Sequence, residues 1–113
     1  MTILVRAEAH VPGPRLGEFH EIAGQLAAAA AAEPGTVRYQ WFASADPSVF
    51  VVIEEYTDEA AAFAHNHNCA ALLERFTRVG ELTSIQVHGA LGPDLSNWLD
   101  QHPEADAFTP LSG

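Results

Sequence analysis

At 113 residues the chain has the length of one domain with one core, too short for two catalytic domains. Apolar residues make up 48% and charged residues 18%, a globular composition that excludes a disordered or fibrous chain. Five arginines, no lysine and fifteen acids give a formal net charge of -10, which leaves no basic stripe for phosphates and argues against nucleic acid or an anionic membrane as partner.

In chain order, Thr2 to Ala9 is β-branched and apolar and is ended by the turn Val11-Pro12-Gly13-Pro14, so it reads as a first strand. From Arg15 to Glu33, Leu16, Phe19, Ala23, Leu26 and Ala30 recur at steps of three and four, and Pro34-Gly35 stops this first helix. Its alanine run, Ala27 to Ala32, is helix-forming but too short and weakly hydrophobic to insert into a bilayer. Thr36 to Phe42 places Val37, Tyr39 and Trp41 on one face of a second strand, against Arg38, Gln40 and Phe42. After a turn at Ala43 to Ser48, Val49 to Tyr56 forms a third strand with Phe50, Val52, Glu54 and Tyr56 on one side. Thr57-Asp58 caps a second helix expected from Ala60 to about Arg78, with Ala62, Cys69, Leu72, Leu73 and Phe76 as its apolar stripe. Leu82 to Val87 is the last strand. Beyond Gly89 the sequence loses periodicity and carries four acids, so residues 91–113 read as a tail, disordered or docked on a partner subunit, after a domain of residues 1–90.

Strand, helix, strand, strand, helix, strand is the order of a ferredoxin-like βαββαβ unit of the α+β class, an antiparallel sheet with both helices on one face. Both parities of the second and third strands are largely apolar, so the uncovered face also calls for burial. The simplest cover is a second copy, which predicts a homodimer whose two sheets form an α+β barrel. The single cysteine, Cys69, cannot make an internal disulfide. With neither a signal-like segment nor a bilayer-length apolar run, the expected location is the cytoplasm.

The segments EPGTVRYQWF (33–42) and DPSVFVVIEEYTDEAAAFAH (46–65) resemble the core of the antibiotic biosynthesis monooxygenase family. The shared order is EPG, an aromatic strand, DP, an apolar strand ending in Glu, then an alanine-rich helix reaching His, and the likeness covers about ninety residues. It implies a dimeric ferredoxin-like barrel with a pocket, and for several members oxidation of polyketide quinols or related aromatics by molecular oxygen without metal or flavin. No cofactor is therefore expected, and the partners expected are a small aromatic substrate and oxygen.

His65 matches the family's helix His and shares the stripe of Cys69, Leu72 and Phe76, so it is expected to face the sheet. There it can act as a general base on a phenolic proton, or sit as a core histidine bonded to a backbone carbonyl or to Glu54. Glu54, matching the family's Glu before the helix, either orients His65 or ties strand to helix structurally; Arg38 is a weaker partner for it because its side chain points the other way. Asn66, at the border of the stripe, can stabilise an oxyanion and is favoured over Asn68. Tyr39, Trp41, Phe50 and Tyr56 offer flat surface for an aromatic substrate, or plain core. His65 and His67, two apart on a helix, cannot share a metal, and His10, His20, His88 and His102 show no ligand spacing, so no metal is expected; Cys69 reads as packing.

The chain departs from the best-known members of the family. Quinol-oxidising members have Asn in the third strand and Trp at its end, where this chain has Val52 and Tyr56. Haem-degrading members need a His, an Asn and a Trp where this chain has Glu74, Ala7 and His65, which argues against haem degradation. Three functions follow: a cofactor-independent monooxygenase with His65 as base, a non-catalytic binding or accessory domain, and a cyclase or isomerase using the same base without oxygen.

Overall fold

The computed structural model describes residues 2–112. Strands β1 (Ile3–His10), β2 (Thr36–Ala43), β3 (Val49–Tyr56), β4 (Glu81–His88) and β5 (Ala105–Phe108) form one sheet in the order β2-β3-β1-β4-β5. All pairings are antiparallel except β4 with β5. Helices α1 (Leu16–Ala31), α2 (Glu59–Asn68), α3 (Ala70–Thr77) and α4 (Pro93–Gln101) complete the fold. The first four strands have the ferredoxin-like arrangement expected from the order of elements.

Alternation decides what faces the helices. Ala9 pairs with Phe50, Ala7 with Val52, Val5 with Glu54 and Ile3 with Tyr56, so these rows stand on the helix side together with Tyr39 and Trp41 of β2 and Ile85 and Val87 of β4. α1 contributes Phe19, Ala23, Leu26 and Ala30, buried at the helical spacing read from sequence, and also Ile22, which that spacing omits, while Leu16 is half-buried. The Phe19 ring lies 4.5 Å from that of Phe50 and 5.2 Å, edge-on, from that of Trp41. Ile22 is fully enclosed beside them. Ile22→Val is therefore expected to cost about 0.5–1.5 kcal/mol, read as a lower midpoint in urea with an unchanged slope. The opposite sheet face carries half-buried Leu4, Val49, Val51 and Ile53, with Phe42 39% exposed.

Two elements differ from the reading of the sequence. The helix expected from Ala60 to Arg78 is broken into α2 and α3 at Cys69, whose φ of -99° and ψ of 12° leave the helical region. The polar run His65-Asn66-His67-Asn68 has weak helix propensity, and the joint turns Cys69 into the core, where it is 1% exposed. The segment beyond Gly89, read as aperiodic, forms α4 and β5. Leu95, Trp98 and Leu99 of α4 pack against the cluster of Ile3, Tyr56 and Val87, and Ile85 to His88 of β4 pair with Ala105 to Phe108 of β5. Residues 93–108 thus lie on the chain's own sheet.

Candidate active site

The EPG turn connects fold to site. Pro34 cannot continue α1, so Glu33 stands just past the helix end with its carboxylate turned inward. Gly35 accepts the close passage of α2: a Cβ there would lie 2.5 Å from that of Ala61. α2 itself is fixed by Asp58, whose Oδ1 accepts from the Ala61 amide at 2.8 Å. Ala61 thereby abuts the turn, and His65, one helical turn further on, comes to rest against Glu33.

His65 is 2% exposed. Its Nδ1 lies 2.7 Å from Oε1 of Glu33, a carboxylate that also accepts from Thr36 Oγ1 at 2.7 Å, Asn68 Nδ2 at 2.8 Å and Cys69 Sγ at 3.5 Å. Burial opposes ionisation of Glu33, but the hydrogen bonds from Asn68, Thr36 and His65 and the His65 charge outweigh it, holding the carboxyl below its ordinary range. An ionised Glu33 accepts only, so Nδ1 carries the hydrogen and, in the neutral ring, Nε2 is left with its lone pair. Nε2 faces Glu54, 3.9 Å from Oε1, too long for a hydrogen bond.

Glu54 sits on β3, its side chain 15% exposed, and accepts from the Tyr56 hydroxyl. Burial raises its pKa, with the nearby Glu33 charge adding to the rise and Tyr56 and His65 only partly offsetting it. The two glutamates that flank His65 are therefore driven in opposite directions, Glu33 toward the anion and Glu54 toward the acid. Burial and the Glu54 charge push the phenols of Tyr39 and Tyr56 well above the ordinary tyrosine range, so both stay protonated. Trp41 Nε1 donates to the Tyr39 oxygen at 3.2 Å, leaving the Tyr39 hydrogen for a ligand oxygen.

His65, Glu54, Tyr39, Tyr56 and Trp41 line one wall of a cavity of about 730 Å³ between sheet and helices, with Glu33 behind His65. Its surface is mainly apolar: Ile3, Val5, Val52, Phe63, Leu73, Phe76, Ile85, Val87 and Trp41 line it, with Leu95 and Trp98 from α4. Among the described residues its ionisable acid and imidazole lining is Glu54, His65, Glu81 and Glu104.

The structure brings His65, Glu54, Tyr39, Trp41 and Tyr56 together at this cavity, and it places Asn66, an exposed residue, on the cavity lining. Phe50 it places elsewhere: buried between Phe19 and His20 in the core, it does not line the cavity. Arg38 pairs across the strands with Glu55 on the other sheet face, away from Glu54. Asn68, ranked below Asn66 from sequence, is the amide that holds Glu33. Sequence reasoning gives Glu33 no role in the site: there it is the end of the first helix and the start of the EPG motif.

Glu33, His65 and Cys69 also place one potential metal-ligand atom each within 4.8 Å of one another, a convergence invisible in sequence spacing. Their chemistry is that of a hydrogen-bond cluster. A metal entering it would have to displace the bonds to Glu33 and deprotonate a thiol that burial and the Glu33 charge push up to about 11.

An α+β ferredoxin-like sheet with an acid–imidazole–acid line at one wall of an apolar cavity defines a small-molecule-binding class of protein. Within it, the model of the antibiotic biosynthesis monooxygenase family matches residues 2–84, and the chain belongs to that family. Among solved structures, MupZ from Pseudomonas fluorescens superposes with a TM-score of 0.84 at 17% identity, over 99% of this chain and 92% of its own. SnoaB from Streptomyces nogalater, a cofactor-independent oxygenase, gives 0.68 at 18%, over 81% and 93%. Rv0793 from Mycobacterium tuberculosis gives 0.70 at 19%, over 82% and 95%. No curated protein matches the sequence. None of the helices among the described residues is long and apolar enough to cross a membrane.

Proposed function

We propose that this protein is a cofactor-independent monooxygenase that oxidises a small aromatic or quinol-type substrate with molecular oxygen. The observation that carries the proposal is the line Glu33–His65–Glu54, with Nδ1 of His65 held by a carboxylate, Nε2 facing Glu54 without a hydrogen bond, and His65 and Glu54 both lining the cavity. Held this way, Nε2 takes the phenolic proton of a substrate whose oxygen lies near Tyr39, and the resulting electron-rich anion reacts with oxygen. The apolar walls keep water from the anion and from the intermediates that follow it. Family membership and the likeness to a cofactor-independent oxygenase support this reading. The test is oxygen uptake by metal- and flavin-free protein with a panel of naphthoquinols and anthrones, comparing wild type with His65→Ala. Uptake lost in the variant is the expected result; no uptake with any substrate sinks the proposal.

One observation favours a second reading, a cyclase or isomerase without oxygen. The raised pKa of Glu54 places a proton donor beside the His65 base on the cavity wall, an acid–base pair that a proton transfer between neighbouring atoms of a substrate uses. The two readings separate at Glu54→Gln. It leaves an oxygenation that needs only the base within about tenfold of wild type, whereas loss of an acid catalyst costs about 10²–10⁴-fold.

The acidic lining selects against anions. A substrate analogue bearing a carboxylate is expected to bind at least about tenfold more weakly than its neutral parent, a penalty that shrinks in high salt, as titration calorimetry would show. The open sheet face, with Val49, Val51, Ile53 and Phe42, is proposed as the homodimer interface closing the barrel. Gel filtration at micromolar concentration tests it, and a monomer there removes the barrel.

A further inference from the structure

In this chain α1 and α2 lie over the β2 and β3 side of the sheet, and α4 packs against the β4 side. Leu95 joins Ile3, Tyr56 and Val87 in one buried cluster, with Trp98, Leu99 and Phe63 packed against it. Leu95 and Trp98 both line the cavity, and Leu95 shares its buried cluster with Tyr56, whose hydroxyl is bound to Glu54. The family match ends at residue 84, before this helix begins.

α4 is built to hold its place. Gly92, its N-cap, has no side chain to cap the helix; the cap comes instead from α2, where Oε2 of Glu59 accepts from the Leu95 amide at 3.2 Å. A Cβ on Gly92 would run into that carboxylate. At the other end the Trp98 indole stacks on His102 with 4.0 Å between ring centroids, and His102 Nδ1 donates to the Trp98 carbonyl at 2.7 Å. β5 then fixes the chain to β4, and the Gly89 amide donates to the Phe108 carbonyl at 3.0 Å. A wall anchored at both ends and presenting a stacked indole sets a dimension of the cavity instead of yielding to whatever enters.

We propose that α4 is the specificity wall of the cavity, with Trp98 and Leu95 limiting the size of the hydroxy-aromatic ligand that reaches His65. The inference rests on the reading of the cavity as the substrate site but not on any turnover. Its test is equilibrium binding of two neutral phenols, 2-naphthol and 1-hydroxypyrene, followed by ligand fluorescence, to wild type, Trp98→Ala, Trp98→Phe, Leu95→Ala and, as control, Leu111→Ala at a fully exposed site. Wild type is expected to prefer the smaller phenol. Trp98→Ala should shift the ratio of the two Kd values toward the larger by about tenfold, with Trp98→Phe and Leu95→Ala intermediate and Leu111→Ala unchanged. Trp98→Phe keeps the fold even where removal of the whole indole does not, so the ratio remains measurable. A ratio unchanged in every folded variant overturns the wall while leaving the oxygenation reading intact. Binding of neither phenol to wild type overturns both, and a shifted ratio without oxygen uptake supports the wall while removing the oxygenase.

Discussion

His65→Ala is expected to lower kcat by about 10²–10⁴-fold, the range for loss of a positioned general base, with KM changed far less. The expectation follows from the surroundings of the ring: imidazole binds in a slot closed on one side by Glu33 and on the other by Glu54, so its removal leaves the apolar walls of the cavity in place. Added imidazole should then restore part of the rate by occupying that slot, a result that a purely structural histidine would not give. Glu33→Gln separates orientation from chemistry. Glu33 touches no substrate and acts through Nδ1, so its loss should reduce kcat by about 10–100-fold at little cost in KM. Equal kcat in wild type, His65→Ala and Glu33→Gln would remove His65 from the reaction.

The sequence discloses the sheet and its two faces because alternation is a local signal. Phe50, Val52, Glu54 and Tyr56 must share a side if β3 is a strand, and the apolar runs and turns that bound it leave no other reading. His65 is legible for the same kind of reason, since helical spacing ties it to Cys69 and Phe76. Glu33 is not. It meets His65 across 32 positions, and the meeting depends on a glycine without a Cβ at 35 and on the angle at which α2 leaves Asp58. The only local signal was that a glutamate stands where the turn needs merely a proline and a glycine. α4 is a different case. Gly92-Pro93 is a start signal, and Leu95, Trp98 and Leu99 have helical spacing, but nine residues are too few for periodicity to stand out from an acidic segment. β5, only four residues with no alternation of their own, owes its existence to the edge that β4 offers.

Stability against pH should show the two glutamates pulling in opposite senses. The folded state holds the Glu33 pKa below its unfolded value, so its ionised form stabilises the fold above the ordinary carboxylate range, and the contribution is lost as pH falls through the folded pKa. Glu54 has the reverse sign. Its folded pKa lies above its unfolded value, so the protonated form contributes below the ordinary carboxylate range and the contribution is lost as pH rises through the raised pKa. Thermal melts followed by circular dichroism from acid to mildly alkaline pH are expected to give a maximum, with Glu33 shaping the acid side and Glu54 the alkaline side. Glu33→Gln turns an acceptor-only group toward the donors His65, Thr36 and Asn68 and leaves part of that cluster unmatched. About 1–3 kcal/mol should be lost near neutrality, with the difference from wild type closing as the acid limb is reached. Glu54→Gln should do the opposite and gain on wild type as pH rises, because it cannot ionise in the cavity wall while still accepting from Tyr56. If Glu54→Gln falls below wild type at alkaline pH by as much as at acid pH, Glu54 is not the buried acid that the geometry makes it, and the proton donor beside His65 is lost with it.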